Sequence, residues 1–565
     1  MFLPTTRDEL KKLKWDKPDI ILVTGDTYID SPFIGVSVIG RVLVDAGFRV
    51  GIIAQPDWHK PDDISRLGEP RLFWGITGGC MDSMVANYTA TKKKRGNDDL
   101  TAGGKNNRRP DRAVVVYANL IRRYFKETKP LVLGGIEASL RRIAHYDFWS
   151  DSIRRSIMFD ARADVLVYGM AEKAVVELAQ ALRDGKDTTD IRGICYLASA
   201  PPPQNALELP AYEDVLADKK TFIRMFNRFY CNGDPLTAKR LYQKHGDRYL
   251  VQNPPQPHLT TPELDHIYGL DFTRDVHPFY SARGNVRAIE TITFSITSHR
   301  GCYGECNFCS IGLHEGRTVI SRSEKSILDE AQKLAGRSDF KGYIADVGGS
   351  TANMYGIECA KKIKKGACNG KRCLSPRVCD ALPADHSRQI NLLRNLRNVR
   401  GVKKVFVASG IRYDLLLNDR AHCLAYMKEL VEHHTSGQLK VAPEHSEWPV
   451  LKLMGKPQAQ ALLNFKHLFE KTSAVSKRKQ FLTYYFIAAH PGCTEEDMRR
   501  LKAFTTRELK TNPRQVQIFT PLPSTYSALM YFTGIDPSTG KKIFIEKNME
   551  KKEKQKNILI GNKRS

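Results

Sequence analysis

Residues 302–309 read Cys302-Tyr303-Gly304-Glu305-Cys306-Asn307-Phe308-Cys309. Thiols spaced by four and then three residues can converge on one cluster from a single short loop, and cysteine thiolates are the ligands that hold Fe–S clusters. Three protein ligands leave one iron open to a substrate or cofactor. Zinc is the alternative, but it needs a fourth ligand, for which His314 is the nearest later candidate.

The loop follows an apolar run, Ile289–Ile296, that reads as the first strand of an α/β series. Further strands are expected at Tyr343–Val347, Lys404–Ala408, Gln438–Ala442, Phe481–Ile487 and Gln515–Phe519, with helical patterns between them such as Ser326–Leu334. The acidic run Thr494-Glu495-Glu496-Asp497 marks a helix start, where the helix dipole favours negative charge. Strand–helix units repeated in this way suit a barrel or partial barrel of parallel strands, whose active site lies at the carboxyl ends of the strands. The first 200 residues alternate apolar runs (Ile20–Thr24, Arg49–Ile53, Leu72–Ile76, Leu131–Gly135, Val165–Gly169) with a helical stretch at Gly35–Asp45. Short apolar runs separated by helices predict a parallel sheet covered on both faces. Glycines at its strand ends suit a ligand crevice and equally suit tight turns. Pro201-Pro202-Pro203 marks a boundary, and residues 204–285 hold a helical piece near Val215–Phe229 and the Pro-rich run Pro254-Pro255-Gln256-Pro257. The expected organisation is an N-terminal doubly wound α/β domain (1–200), a connecting segment (201–288), a (βα)6 partial TIM-like barrel (289–540) and a basic, disordered tail (541–565).

A Cys-x3-Cys-x-aromatic-Cys loop after the first strand of a six-unit barrel resembles the radical S-adenosylmethionine superfamily. Met1-Phe2-Leu3-Pro4-Thr5-Thr6, Ile52-Ile53-Ala54-Gln55-Pro56-Asp57-Trp58, Arg248–Pro255, Ser295–Cys302 and Asp346-Val347-Gly348-Gly349 look like the YgiQ family within it. The resemblance implies that Cys302, Cys306 and Cys309 hold a [4Fe-4S] cluster whose open iron chelates S-adenosylmethionine. It implies cofactor contacts from Phe308 beside the adenine, from Gly348 and Gly349 at the methionine amino group, and from Ser409, Arg412 and Glu444 at ribose and carboxylate. Ser350 stands where many superfamily members carry Glu. Reductive cleavage would yield a 5′-deoxyadenosyl radical, with an external reductant such as a flavodoxin or ferredoxin. The N-terminal half resembles a cobalamin-binding domain but lacks the Asp-x-His-x-x-Gly signature that supplies a lower axial ligand. RNA methyl or methylthio transfer is an alternative activity. Against methylthio transfer, Cys80, Cys195 and Cys231 are widely spaced, and only a lysine-rich tail follows Pro537.

Cys359, Cys368, Cys373 and Cys379 form a second group that could hold zinc or a further Fe–S cluster. The nearby Lys and Arg would favour thiolates there. Lys+Arg of 88 against Asp+Glu of 62 give a net charge of +26. Most of the excess falls in four pieces: 92–112, 361–377, 388–404 and the tail. Concentrated positive charge suits a polyanionic partner such as nucleic acid, and a non-catalytic Fe–S or zinc protein that binds nucleic acid is the contrasting reading. A 41% hydrophobic content excludes a wholly disordered chain. No run approaches the roughly 18 apolar residues of a membrane span. The amino terminus lacks signal-peptide shape, and twelve cysteines in a chain of this size suit metal or redox roles in a reducing cytoplasm.

Overall fold

The computed structural model describes residues 1–202 and 205–561. The chain divides into two compact units: Met1–Pro257 with His266–Thr293, and His258–Asp265 with the chain from Phe294 onward.

The first unit is built on a nine-stranded sheet. Its parallel part runs Val165–Val167, Leu131–Gly134, Phe73–Thr77, Ile20–Thr24, Val50–Ala54. Every residue of Ile20–Thr24 and Val50–Ala54 is buried, as a sheet covered on both faces requires. The helices Gly35–Asp45 and Glu172–Arg183 contribute Val36, Leu43, Val175 and Leu178 to a core shared with Ile20, Leu22, Ile52 and Val132. The doubly wound parallel sheet expected from the apolar runs is present.

Residues 201–288 are not a separate connector. Leu207–Leu209, Leu241–His245 and Arg248–Gln252 extend the same sheet, with Arg248–Gln252 antiparallel to Ile194–Ala198. Leu241, Leu250 and Val251 are fully buried, and Gln243 donates from its buried amide to the carbonyl of Pro210 at 3.0 Å. The helical piece expected at 215–229 is two helices, Tyr212–Ala217 and Lys219–Cys231. Asp218 breaks them and caps the second, accepting from the N–H of Thr221 at 2.8 Å. Pro203 lies outside the described residues.

The second unit carries the barrel strands. Ser295–Thr297 pairs parallel with Asp346–Gly348, Tyr343–Ile344 with Lys404–Val405, Gln438–Glu444 with Phe481–Ala488, and Phe481–Ala488 with Gln515–Ile518. A parallel bridge, Ile411 to Val441, joins the third strand region to the fourth. Ile296, Val347, Val405, Val441, Phe486 and Val516, from these strands, share one core. Helix Glu324–Ala335 is capped by Ser323, and Glu495–Arg507 by a capping box of Thr494 and Asp497.

Two further elements differ from expectation. The first strand is shorter than Ile289–Ile296, because Ile289–Ile292 is a single helical turn and the Thr293 hydroxyl donates back to the carbonyl of Ile289 at 2.7 Å. The tail is not disordered through 561. Met549–Ile560 is a helix capped by Asn548, and Lys552, Gln555 and Leu559 fall on one of its faces and are buried. The lysine-rich composition hid that i, i+3, i+7 stripe. The tail's last residues, 562–565, lie outside the described residues. No described helix is long and apolar enough to cross a membrane.

Candidate metal centre

The three thiols sit on the loop after the strand Ser295–Thr297. His299–Arg300 pairs antiparallel with Ile320–Ser321 and leads into it. Gly301 then turns the chain at φ +86°, where a Cβ would lie 2.1 Å from the carbonyl oxygen of Thr318, so only glycine fits. The Gly301 N–H donates to the Glu315 carboxylate at 3.1 Å. Tyr303 is fully buried beside Leu374, Leu382 and Leu415. Arg372 holds the next turn, donating to the Glu305 carbonyl at 3.0 Å and to Asn307 Oδ1 at 2.7 Å. Asn307 in turn donates through its N–H to the carbonyl of Met454 at 2.9 Å and through its amide to that of Leu453 at 2.8 Å. The loop is therefore pinned along its length, with all three thiols half-buried.

Two of the sulfurs meet donors. The Gly304 N–H donates to Cys302 Sγ at 3.4 Å, and Thr351 Oγ1 lies 3.8 Å from the same sulfur. Arg412 Nη1 donates to Cys306 Sγ at 3.5 Å. Burial, followed by the neighbouring Cys306, pushes the Cys302 and Cys309 thiols up. Metal binding must displace those protons. Among the described residues, three ligand atoms lie within 4.8 Å of one another only at Asp385, Asp419 and His422. A single zinc needs its ligands that close together, whereas a multi-iron cluster separates its thiolates by its own width.

The other expected site residues lie at carboxyl ends of the barrel strands. Gly348 ends the second strand against Ala352 and Ser409. A Cβ on Gly349 would lie 2.6 Å from the carbonyl oxygen of His299. The hydroxyl of Ser350 donates to Glu315 at 2.6 Å. Ser409 Oγ donates to Asp346, whose other carboxylate oxygen accepts from the N–H groups of Ala408 at 2.7 Å and Ser409 at 3.1 Å. Ser409 therefore ties the second strand to the third. Glu444 is buried in the left-handed region at φ +69°. Burial raises its pKa, opposed by Lys456 at 3.7 Å and by Arg412. Phe308 is half-buried and meets His490 edge-on at 6.3 Å. The structure brings Arg412 to Cys306, and Glu444 is near enough to Cys309 to act on its thiol electrostatically.

Sequence reasoning missed the residues that hold these in place: Glu315, Asp346, Thr351, Asn353 and Lys456. Their signal was available in part, since Asp346 opens the second barrel strand and Thr351 stands three residues past its end. His299 stands on the strand that leads into the loop. Its ring nitrogens meet Ser298 Oγ and the Thr351 carbonyl, each at 2.9 Å, and burial lowers its pKa to about 4.

The second cysteine group packs on the same small core as Cys302. Cys368 is exposed, while Cys359, Cys373 and Cys379 are half-buried against the small core around Tyr303. No three of the four sulfurs lie within 4.8 Å of one another. Burial pushes the Cys373 thiol up to about 11. Lys362 of this segment is buried, pairs with Glu358 at 2.8 Å and stands over the Tyr303 ring.

In the first unit, three glycines just past strand ends, Gly25, Gly78 and Gly79, face the protein's own atoms. A Cβ on Gly25 would meet the Gly78 carbonyl, one on Gly78 the Glu137 carboxylate, and one on Gly79 that of Asp26. Arg109 joins Asp26 and Asp98 there, at 2.5 and 3.0 Å.

A family profile described as "Radical SAM N-terminal" matches residues 2–295. A UPF0313 protein of Fusobacterium nucleatum is 54% identical over 565 residues, covering 100% of this chain and 99% of its own. One from Thermotoga maritima is 48% identical over 567 residues, with 100% and 99% covered. Among solved structures, the radical S-adenosylmethionine methyltransferase TsrM of Kitasatospora setae, with cobalamin and a [4Fe-4S] cluster bound, aligns with a TM-score of 0.50 at 16% identity over 91% of this chain and 78% of that one. The cobalamin-dependent radical enzyme OxsB, with aqua-cobalamin bound, aligns with a TM-score of 0.50 at 12% identity over 95% of this chain and 58% of that one. These likenesses support the two-part α/β fold, and with full-length relatives at this level the chain belongs to the UPF0313, or YgiQ, family of radical S-adenosylmethionine proteins.

Proposed function

We propose that the protein is an enzyme that binds a [4Fe-4S] cluster through Cys302, Cys306 and Cys309 and uses it to cleave S-adenosylmethionine reductively. The observation that carries this reading is the pinned loop itself: three half-buried thiols, with hydrogen-bond donors on Cys302 and Cys306, placed at the carboxyl end of a barrel strand. When bound, the cluster supplies one electron to the sulfonium, and a 5′-deoxyadenosyl radical results. The chain's own part is to hold the three thiolates, to seat the loop on the buried Tyr303, and to keep Glu444 and Arg412 beside the sulfurs in surroundings poor in water, where their charges act strongly. Gly348 and Gly349 bring the second strand end close by and are the proposed backbone contacts for the methionine end of S-adenosylmethionine. Phe308 is proposed to flank the adenine.

A low-potential one-electron donor of the flavodoxin or ferredoxin type is the proposed partner. Cobalamin enters on fold likeness, since the titles of TsrM and OxsB name it. The Asp-x-His-x-x-Gly signature is absent from this chain, so cobalamin rests on the fold likeness, and the proposed cleavage does not require it. Anaerobic reconstitution with iron and sulfide tests the reading. About four irons per chain and release of 5′-deoxyadenosine and methionine on reduction are expected. A chain that holds no cluster, or a cluster that leaves S-adenosylmethionine intact, contradicts it.

A further inference from the structure

The barrel unit buries a guanidinium against the thiol loop. Arg412 lies at the start of the helix Tyr413–Leu417 and is 6% exposed. Its guanidinium is divided between two partners. Nε and Nη2 form a bidentate pair with the Asp414 carboxylate at 2.7 and 3.0 Å. Nη1 is left to face the thiol of Cys306 at 3.5 Å. A Cβ on Gly304 would come within 3.0 Å of Nη1 and 3.2 Å of Cys302 Sγ. A side chain at this position, between the first two cysteines, would crowd both the guanidinium and the Cys302 sulfur.

The backbone of Arg412 is held as firmly as its head. Its N–H donates to Asn353 Oδ1 at 2.7 Å, and its carbonyl accepts from Asn353 Nδ2 at 3.0 Å. Asn353 also meets His386 Nε2 at 3.2 Å, and His386 Nδ1 meets Asp419 at 2.8 Å. Asn353, His386 and Asp419 are each at most 1% exposed. Such support fixes a first contact within a fraction of an ångström.

We propose that Arg412 is a positioning residue that sets the reduction potential of the iron–sulfur cluster, through its N–H···S bond to Cys306. This rests on the reading that Cys302, Cys306 and Cys309 hold that cluster. Cluster potentials depend on hydrogen bonds to the sulfurs and on local charge. A buried cation beside one thiolate favours the more negative, reduced state. Asp414 opposes it, but the cation stands nearer the sulfur because Nη1 points at Cys306 while the carboxylate sits on the opposite side of the guanidinium fork. The step eased is a one-electron transfer in which an external low-potential reductant is oxidised and the cluster reduced, with no bond in the protein made or broken. The expected contact to the carboxylate of S-adenosylmethionine is thereby replaced by a contact to the cluster thiolate.

The test compares wild type, Arg412→Gln, Arg412→Lys and the double variant Arg412→Gln/Asp414→Asn, each reconstituted anaerobically and checked for iron content. A redox titration followed by electron paramagnetic resonance is run without S-adenosylmethionine. Arg412→Gln is expected to make the cluster harder to reduce by about tenfold in equilibrium constant, which is about 59 mV for one electron. Arg412→Lys should fall between it and wild type. The double variant removes the buried pair together, so it keeps the measurement accessible if the single one leaves Asp414 unpaired and fails to fold. Variants that load normally and titrate with wild type overturn the proposal. Unchanged potentials with weakened S-adenosylmethionine binding also overturn it and assign Arg412 to that ligand. Loss of the cluster from all variants with the fold retained overturns it too, by making Arg412 a retention residue. A wild type that takes up no cluster rejects the underlying reading as well.

Discussion

Gly301 shows how much the thiol loop depends on single positions. Its φ of +86° and the 2.1 Å approach to the Thr318 carbonyl leave no room for a side chain. Gly301→Ala is expected to cost at least about 1–3 kcal/mol and to reduce iron uptake, read by urea denaturation and iron analysis. A variant of wild-type stability with full iron content would show that the turn can move. The same scale shows which protein groups hold the heads of Ser409 and Arg412. Both were assigned by position after the third strand. The hydroxyl of Ser409 is taken by Asp346, and the guanidinium of Arg412 by Asp414 and Cys306. Position along a strand predicts that a residue reaches the strand end. It does not predict which of several polar neighbours there captures its head.

Among elements, the helix Met549–Ile560 is the one most at odds with its composition. The Gln555 amide accepts from the N–H of Ala489 at 2.9 Å and donates to the carbonyl of Cys493 at 3.2 Å, closing off backbone groups just past the fifth barrel strand. Lys552 donates to the Tyr531 hydroxyl at 2.7 Å, and Leu559 joins the barrel core. Gln555→Ala leaves a buried N–H and a buried carbonyl unmet, and should lower the stability of this unit by about 1–3 kcal/mol. Truncation before Asn548 should lower it more, read as earlier unfolding in a thermal scan. Equal melting of truncated and full-length chains would make the helix dispensable. The parallel strands were legible because buried β-branched runs such as Ile20–Thr24 and Val50–Ala54 have few other uses. The thiol loop was legible because its ligands are adjacent in sequence. Residues 207–252 were not, since their strands are short and lie beyond a Pro-rich boundary, and the pairing of Arg248–Gln252 with Ile194–Ala198 is set by partners distant in sequence. The supporting shell of Asn353, His386 and Asp419 was illegible for the same reason.

Across the whole molecule, the +26 charge divides into structural and exposed parts. Arg109, Arg112, Lys362, Arg397 and Lys552 from the four basic pieces are engaged internally. Lys361, Lys364, Lys365 and Lys371 are exposed and remain the surface on which a polyanion would act. Several histidines are buried in neutral form. Burial, then Arg141, lowers His145 to about 4, and burial, then Arg155, lowers His245 to about 3. Unfolded imidazoles titrate near about 6.5. Between there and pH about 4 the unfolded chain takes up protons that the folded chain refuses, so stability falls as pH drops. The expected slope is up to about 1.4 kcal/mol per pH unit for each histidine. Urea denaturation at pH 7.5, 6 and 5 reads it directly, and a flat profile would show that these rings are solvated. The proposed chemistry turns on one open iron of a cluster held by Cys302, Cys306 and Cys309. It is tested by the paramagnetic resonance spectrum of the reduced, reconstituted protein before and after S-adenosylmethionine is added. The expected result is a cluster signal that changes shape when the ligand chelates the open iron and that is absent from the Cys302→Ala/Cys306→Ala/Cys309→Ala variant. A signal unaltered by the ligand, or one that survives in the triple variant, would contradict it.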